Sequence, residues 1–184
     1  MEYICPICDS RKVDIFLEIP QVPVYCNLLY ETREDAVNAK RADMQLGFCK
    51  SCGHVYNYAF NPNLMDYAQN YENALHFSVR FKKYAKELAY RLVKKYHLYD
   101  KDIIEIGCGD GYFLKLLCEI GDNRGIGFDP SRSAEKFTEK FGSSIMFIND
   151  FYSSKYMSYQ ADFIGCRHVL EHIQFPGDFL QGLR

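Results

Sequence analysis

Apolar residues keep two different rhythms along this chain. Between 78 and 96, Phe81, Tyr84, Ala85, Leu88, Ala89, Leu92, Val93 and Tyr96 recur at steps of three and four, which puts them on one stripe of a helix. Lys82, Lys83, Lys86, Glu87, Arg91, Lys94 and Lys95 fill the other side, and Ser78 stands where an N-cap belongs. From 101 onward the rhythm shortens. Apolar runs at 102–106, 125–128, 144–148 and 161–166 alternate with helix-forming stretches at 112–120 and 131–141. Such alternation predicts an α/β fold, a Rossmann-like parallel sheet with helices on both faces, reached through the long helix laid against it.

The first 62 residues read differently. Cys5-Pro-Ile-Cys8 and Cys49-Lys-Ser-Cys52 are two knuckles, each able to offer two thiolates to one ion. Four sulfurs satisfy Zn²⁺ completely and leave no open position, so the expected site is structural. The segments between the knuckles must fold back to join them, with Pro6 and Gly53 favouring tight turns. His54 is expected beside this site, and Cys26 as a small buried apolar residue. Residues 56–75 are dense in tyrosine and asparagine and predict an ordered, packed loop. The expected organisation is a zinc-binding domain at 1–62, an aromatic bridge and long helix at 63–99, and the α/β part at 100–184.

The chemistry concentrates after the first α/β strand, in Glu105-Ile-Gly107-Cys108-Gly109-Asp110-Gly111. Glycines permit a sharp turn and let a ligand reach the backbone amides. The Gly-x-Gly-x-Gly spacing is not that of a dinucleotide fingerprint, and Glu105 and Asp110 would repel a pyrophosphate. The sulfonium and ammonium groups of S-adenosylmethionine (SAM) suit those acids. Asp129, at the end of the second strand, is placed to accept ribose hydroxyls. Gly107, Asp129, Asp150 and Arg167-His168 all fall at strand carboxyl ends, where ligands of such sheets bind.

Composition narrows the partners. A net charge of −2 with no long basic run disfavours nucleic acid as main partner. No apolar run reaches membrane-spanning length, and Met-Glu-Tyr is no signal peptide, so a soluble cytoplasmic protein is expected. Paired knuckles in such a protein point to metal before disulfides.

These residues resemble the class I SAM-dependent methyltransferases. Glu105-x-Gly107-x-Gly109-x-Gly111 is similar to their first motif and Asp129 to their ribose acid. Asn149-Asp150-Phe151 falls where they contact adenine, and Arg167-His-Val-Leu-Glu-His-Ile173 resembles their fourth-strand segment. The resemblance implies that SAM (or S-adenosylhomocysteine) is held by Glu105, Gly107, Cys108, Gly109, Gly111, Asp129, Pro130, Asp150, Phe151, Arg167 and His168. Cys108 is expected to contribute backbone only. The order of four-cysteine module, aromatic bridge and SAM domain resembles the zinc-containing nucleotide-sugar C-methyltransferases. That implies methyl transfer to a carbon beside a ketone of a nucleotide-linked deoxysugar, with Tyr71 and His172 as candidate catalytic residues and His76 and His168 as weaker ones. Oxygen or nitrogen methylation of another small molecule, and a non-catalytic zinc- and SAM-binding fragment, stay open. The chain stops in the helix after the fourth strand; a fragment of a longer protein is expected, its catalytic base beyond Arg184.

Overall fold

The computed structural model describes residues 2–25, 28–64, 78–130 and 144–183. The chain divides into two compact units, Met1–Glu72 with Ile173–Gln181, and Asn73–His172 with Gly182–Arg184.

The first unit is built on a three-stranded antiparallel sheet of β1 (Val13–Pro23), β2 (Arg41–Cys49) and β3 (Val55–Asn57), in that order. Between β1 and β2 lies a short helix, α1 (Arg33–Val37), whose N-cap Thr32 accepts from the Asp35 N–H. Antiparallel pairing sets Val13 opposite Cys49. The start of β1 therefore lies beside the end of β2, and each is joined directly to one knuckle. Gly47 is needed here for space. A Cβ at this position would come within 2.6 Å of the Tyr58 ring, which lies over the sheet. Tyr58 meets Tyr3 and Tyr56 edge-on, at centroid distances of 5.1 and 5.5 Å, so the described part of the aromatic segment packs within this unit. Residues 65–75 of that segment, and Cys26, fall outside the described residues.

In the second unit α2 (Val79–Tyr96) is capped by Ser78, whose Oγ accepts from the Phe81 N–H at 3.4 Å. The helix ends at His97, in the left-handed region. Four parallel strands follow: β4 (Asp102–Ile106), β5 (Arg124–Phe128), β6 (Ile145–Ile148) and β7 (Phe163–Cys166), side by side as β6-β5-β4-β7. Helix α3 (Tyr112–Gly121) joins β4 to β5. The fold is the expected Rossmann-like parallel sheet. The expected helix at 131–141 lies outside the described residues. A last short helix, α4 (Pro176–Gln181), belongs to the first unit, where Gly177 faces the Pro6 carbonyl so closely that a Cβ would stand 2.6 Å from it.

The core of the second unit joins α2, α3 and the sheet through Ala85, Ala89, Val93, Ile103, Leu114, Leu117 and Ile145. Small residues on α2 let it approach α3 closely. The stripe is narrower than its periodicity predicts. Tyr84 and Tyr96 are 52% and 50% exposed, at its margins. One buried polar side chain ties the layers together. Asn123 donates to the Leu98 and Leu117 carbonyls at 3.0 and 2.8 Å and accepts from the Lys101 N–H at 2.9 Å.

Strand order fixes where a ligand can enter. From β4 the chain steps outward through β5 to β6, then returns to place β7 on the other side of β4. The order reverses at β4, and in sheets of this kind ligands bind beyond the carboxyl end of the strand where it does so.

Candidate active site and metal centre

The turn after β4 is shaped by three left-handed glycines, with φ of +67° at Gly107, +53° at Gly109 and +75° at Gly111. A side chain at Gly107 would also collide with Val169, whose Cγ2 lies 2.2 Å from the Cβ position. A Cβ at Gly109 would meet nothing within 4 Å, so this glycine borders open space. The N–H groups of Gly107 and Cys108 both donate to the Phe128 carbonyl, at 2.8 and 3.1 Å. The Gly109 N–H donates to Asp129 Oδ2 at 2.8 Å, and the Tyr112 N–H to Asp110 Oδ1 at 3.0 Å. The turn is thus pinned to the end of β5 by both backbone and carboxylate. Cys108 joins through its backbone, with its thiol buried.

Glu105 is the most informative side chain. It is 3% exposed, and its Oε2 has no hydrogen-bond partner among the described residues. Burial pushes its carboxyl up to about 8; the Arg167 guanidinium and the Leu114 N–H pull it down, and Asp110 and Asp129 push it further up. An orphaned buried carboxyl oxygen two residues before a glycine turn fits a cationic ligand group. On this observation the residues present suit SAM, whose ammonium would satisfy the oxygen and whose charge opposes all three acids.

The remaining strand ends carry the other expected residues. Asp150 is fully engaged on its own loop. Its Oδ2 accepts from the Tyr156 hydroxyl at 2.6 Å and Lys155 Nζ at 3.0 Å, and its Oδ1 from the Phe151 N–H at 2.8 Å. The Tyr156 hydroxyl first, then Lys155, holds its carboxyl below the usual range. Phe151 is 60% exposed, and Pro130 is exposed. Tyr152, Tyr156 and Tyr159 surround Phe128 at 4.9–6.1 Å. Arg167 lies over Phe113, its guanidinium carbon 3.8 Å from the ring centroid. His168 is exposed in the left-handed region, and His172 is half-buried in a 3-10 turn, Leu170–His172. Tyr71 and His76 lie outside the described residues.

Sequence reasoning did not single out Val169, Phe113, Lys155 or Tyr156. Only the fold places Val169 against Gly107 and Phe113 under Arg167. The Asp150 contacts had a local signal, a lysine and a tyrosine five and six positions later, but only the turn Ser154–Tyr156 brings them back.

In the first unit, the sulfurs of Cys5, Cys8, Cys49 and Cys52 all lie within 4.8 Å of one another. Cys5 meets Cys52, and Cys8 meets Cys49, at 3.6 Å. Four sulfurs about 2.3 Å from a zinc ion stand about 3.8 Å apart, so the set fits a tetrahedral ion. Each knuckle closes on a left-handed residue, Asp9 (φ 55°) and Gly53 (φ 79°), with N–H bonds from these to the Cys5 and Cys49 carbonyls. The Cys52 N–H pulls the Cys49 thiol down to about 6. Burial pushes Cys5 up and, against the Ser10 N–H, burial and the neighbouring thiols push Cys8 up to about 12, so without an ion the four sulfurs share few negative charges. His54 sits beside the group and outside it; its carbonyl accepts from the Cys49 N–H at 2.9 Å.

Comparison with known proteins agrees with the sheet and its turn. Residues 77–184 match a family model described as "Methyltransferase domain". The chain belongs to that family, which implies use of SAM. It is also similar to the tRNA U34 carboxymethyltransferase of Sulfurimonas denitrificans, at 29% identity over 112 residues. That match covers 55% of this chain and 36% of the relative, so the chain spans little more than a third of the relative's length. Among the described residues no helix is long and apolar enough to cross a membrane.

Proposed function

We propose that this chain carries the cofactor site of a SAM-dependent C-methyltransferase whose acceptor is a nucleotide-linked keto-deoxysugar. The reading rests on the buried, orphaned Glu105 carboxyl at the end of β4, two residues before the glycine turn. Bound SAM supplies a methyl group on a positively charged sulfur. Glu105 attracts the cofactor's positive end, and Gly107, Cys108, Gly109 and Gly111 line it with backbone. Asp129 fixes the turn and meets the ribose, beside Pro130. Asp150 and Phe151 border the adenine, while Arg167 and His168 close the side toward β7. Tyr71 and His172 remain the candidate catalytic residues for an acceptor whose carbon acid needs a base and whose enolate needs donors.

The four cysteines ahead of the family domain support the sugar acceptor only through the resemblance of that order to the zinc-containing sugar enzymes. In this reading residues 1–62 hold zinc as a purely structural ion. A second reading, an RNA acceptor, is favoured by the tRNA-modifying relative; the charge of −2 weighs against it. Calorimetric titration with S-adenosylhomocysteine tests the cofactor site, and no binding overturns it. Transfer of labelled methyl from SAM to a panel of nucleotide-linked ketosugars and to bulk tRNA, by the full-length protein, separates the acceptors.

A further inference from the structure

We propose that Arg167, set over the Phe113 ring, is a positioning residue for Glu105: its guanidinium is the counter-charge that eases ionisation of the buried carboxyl when it meets the cofactor's ammonium group. This rests on reading the glycine turn as the cofactor site.

Strand register places the pair. Glu105 on β4 is opposite Gly165 on β7, and Ile106 is opposite Cys166. Gly165 offers no side chain, so the next residue of β7's line on that face is Arg167, just past the strand end. Its guanidinium lies over Phe113, in the first turn of α3, at 3.8 Å. A planar cation seated in this way keeps its place without an ion pair.

Charge bookkeeping around Glu105 leaves Arg167 a decisive part. Asp110 from the turn and Asp129 from β5 oppose ionisation, as does burial itself. Cys118 on α3, and Cys166 on the other face of β7, also feel its charge, but burial pushes these thiols up to about 12 and about 11, so both stay neutral. Among the described residues, Arg167 and the Leu114 N–H favour the carboxylate. The N–H belongs to the helix backbone. The arginine is the one of the two that a substitution can remove.

The test is the pH dependence of S-adenosylhomocysteine affinity from pH 6 to 9 in wild type, Arg167→Gln, Arg167→Lys, Phe113→Leu and Glu105→Gln, by calorimetry. Wild-type affinity should climb with pH to a plateau. Arg167→Gln should move that climb upward by about one pH unit, so that binding near neutrality is about tenfold weaker while the gap narrows to about twofold at pH 9. Arg167→Lys should restore most of the wild-type curve. Phe113→Leu, which keeps the charge and loosens its seat, should give a smaller shift in the same direction and serves if Arg167→Gln does not fold. With Glu105→Gln the climb should vanish. Equal weakening by Arg167→Gln at every pH, or an unmoved midpoint, overturns the proposal while leaving the cofactor site intact. Failure of wild type to bind overturns the cofactor site itself.

Discussion

The backbone N–H of Gly109 donates to the carboxylate of Asp129 at 2.8 Å, so the turn after β4 is clamped by the residue that ends β5. One acid thus serves two ends. It holds the left-handed turn open, and it lies just past the carboxyl end of β5, where ligands of such sheets bind. A charge-assisted bond of this kind is worth about 1.5–3 kcal/mol.

Asp129→Ala is therefore expected to loosen the turn as well as remove a ligand contact. S-adenosylhomocysteine affinity should fall at least about tenfold, the equivalent of about 1.4 kcal/mol. Asp129→Asn, which still accepts from the Gly109 N–H, should fall less. Calorimetric titration of both variants checks the order, and equal losses would count against the clamp.

Two glycines of the same turn should respond in opposite ways to alanine. Both bear a left-handed backbone, which costs roughly 1–2 kcal/mol for a residue with a Cβ. At Gly107 the new methyl also strikes Val169, so Gly107→Ala should lower the melting temperature distinctly more. At Gly109 the methyl enters open space. Gly109→Ala should keep more stability and lose binding in proportion beyond its stability cost. Thermal denaturation beside titration reads both.

Stability without ligand should fall as pH rises through the range set by Glu105. Below its ordinary value of 4.5 folded and unfolded chains both hold the proton. Between there and about 8 the unfolded chain releases it while the folded chain retains it, so the folded state loses ground. Above about 8 this group adds no further loss. Glu105→Gln should flatten the trend and raise unfolding free energy at pH 8 by a few kcal/mol. Urea denaturation at pH 6 and pH 8 measures it; an unchanged slope would be the contrary result.

Protein prepared without chelator should carry one zinc per chain. Acidification should release it, since each sulfur must be deprotonated to bind. Cys49→Ser should abolish stoichiometric zinc and expose the β1–β2–β3 sheet to proteolysis, because so small a unit has little core of its own. Metal analysis and limited proteolysis report the two effects separately.

Much of the fold was legible because local rules were consistent. Ser78 as a cap, β4 at 102–106 and the glycine turn follow from short-range backbone chemistry, and the structure has all three. The joining of the knuckles was also foreseeable, since two strands that return must lie antiparallel. The margins of the α2 stripe were less legible: periodicity gives a face but not its width, and Tyr84 and Tyr96 stay half exposed. The partners of Asp150 were hidden for a similar reason, because a bend decides which hydroxyl and which amine turn back to it.

The sequence alone determined the kinds of group available: four sulfurs in two pairs, three alternating glycines, and acids at strand ends. These are properties of spacing and of single residues, and they hold before any long-range contact forms. Tertiary structure decided the charge environment of Glu105, by burying it between β4 and α3 and bringing Arg167, Asp110 and Asp129 around it. A carboxyl's ionisation depends on the dielectric and the charges in the space around it. Those come from elements distant along the chain, so only the packed fold could set them.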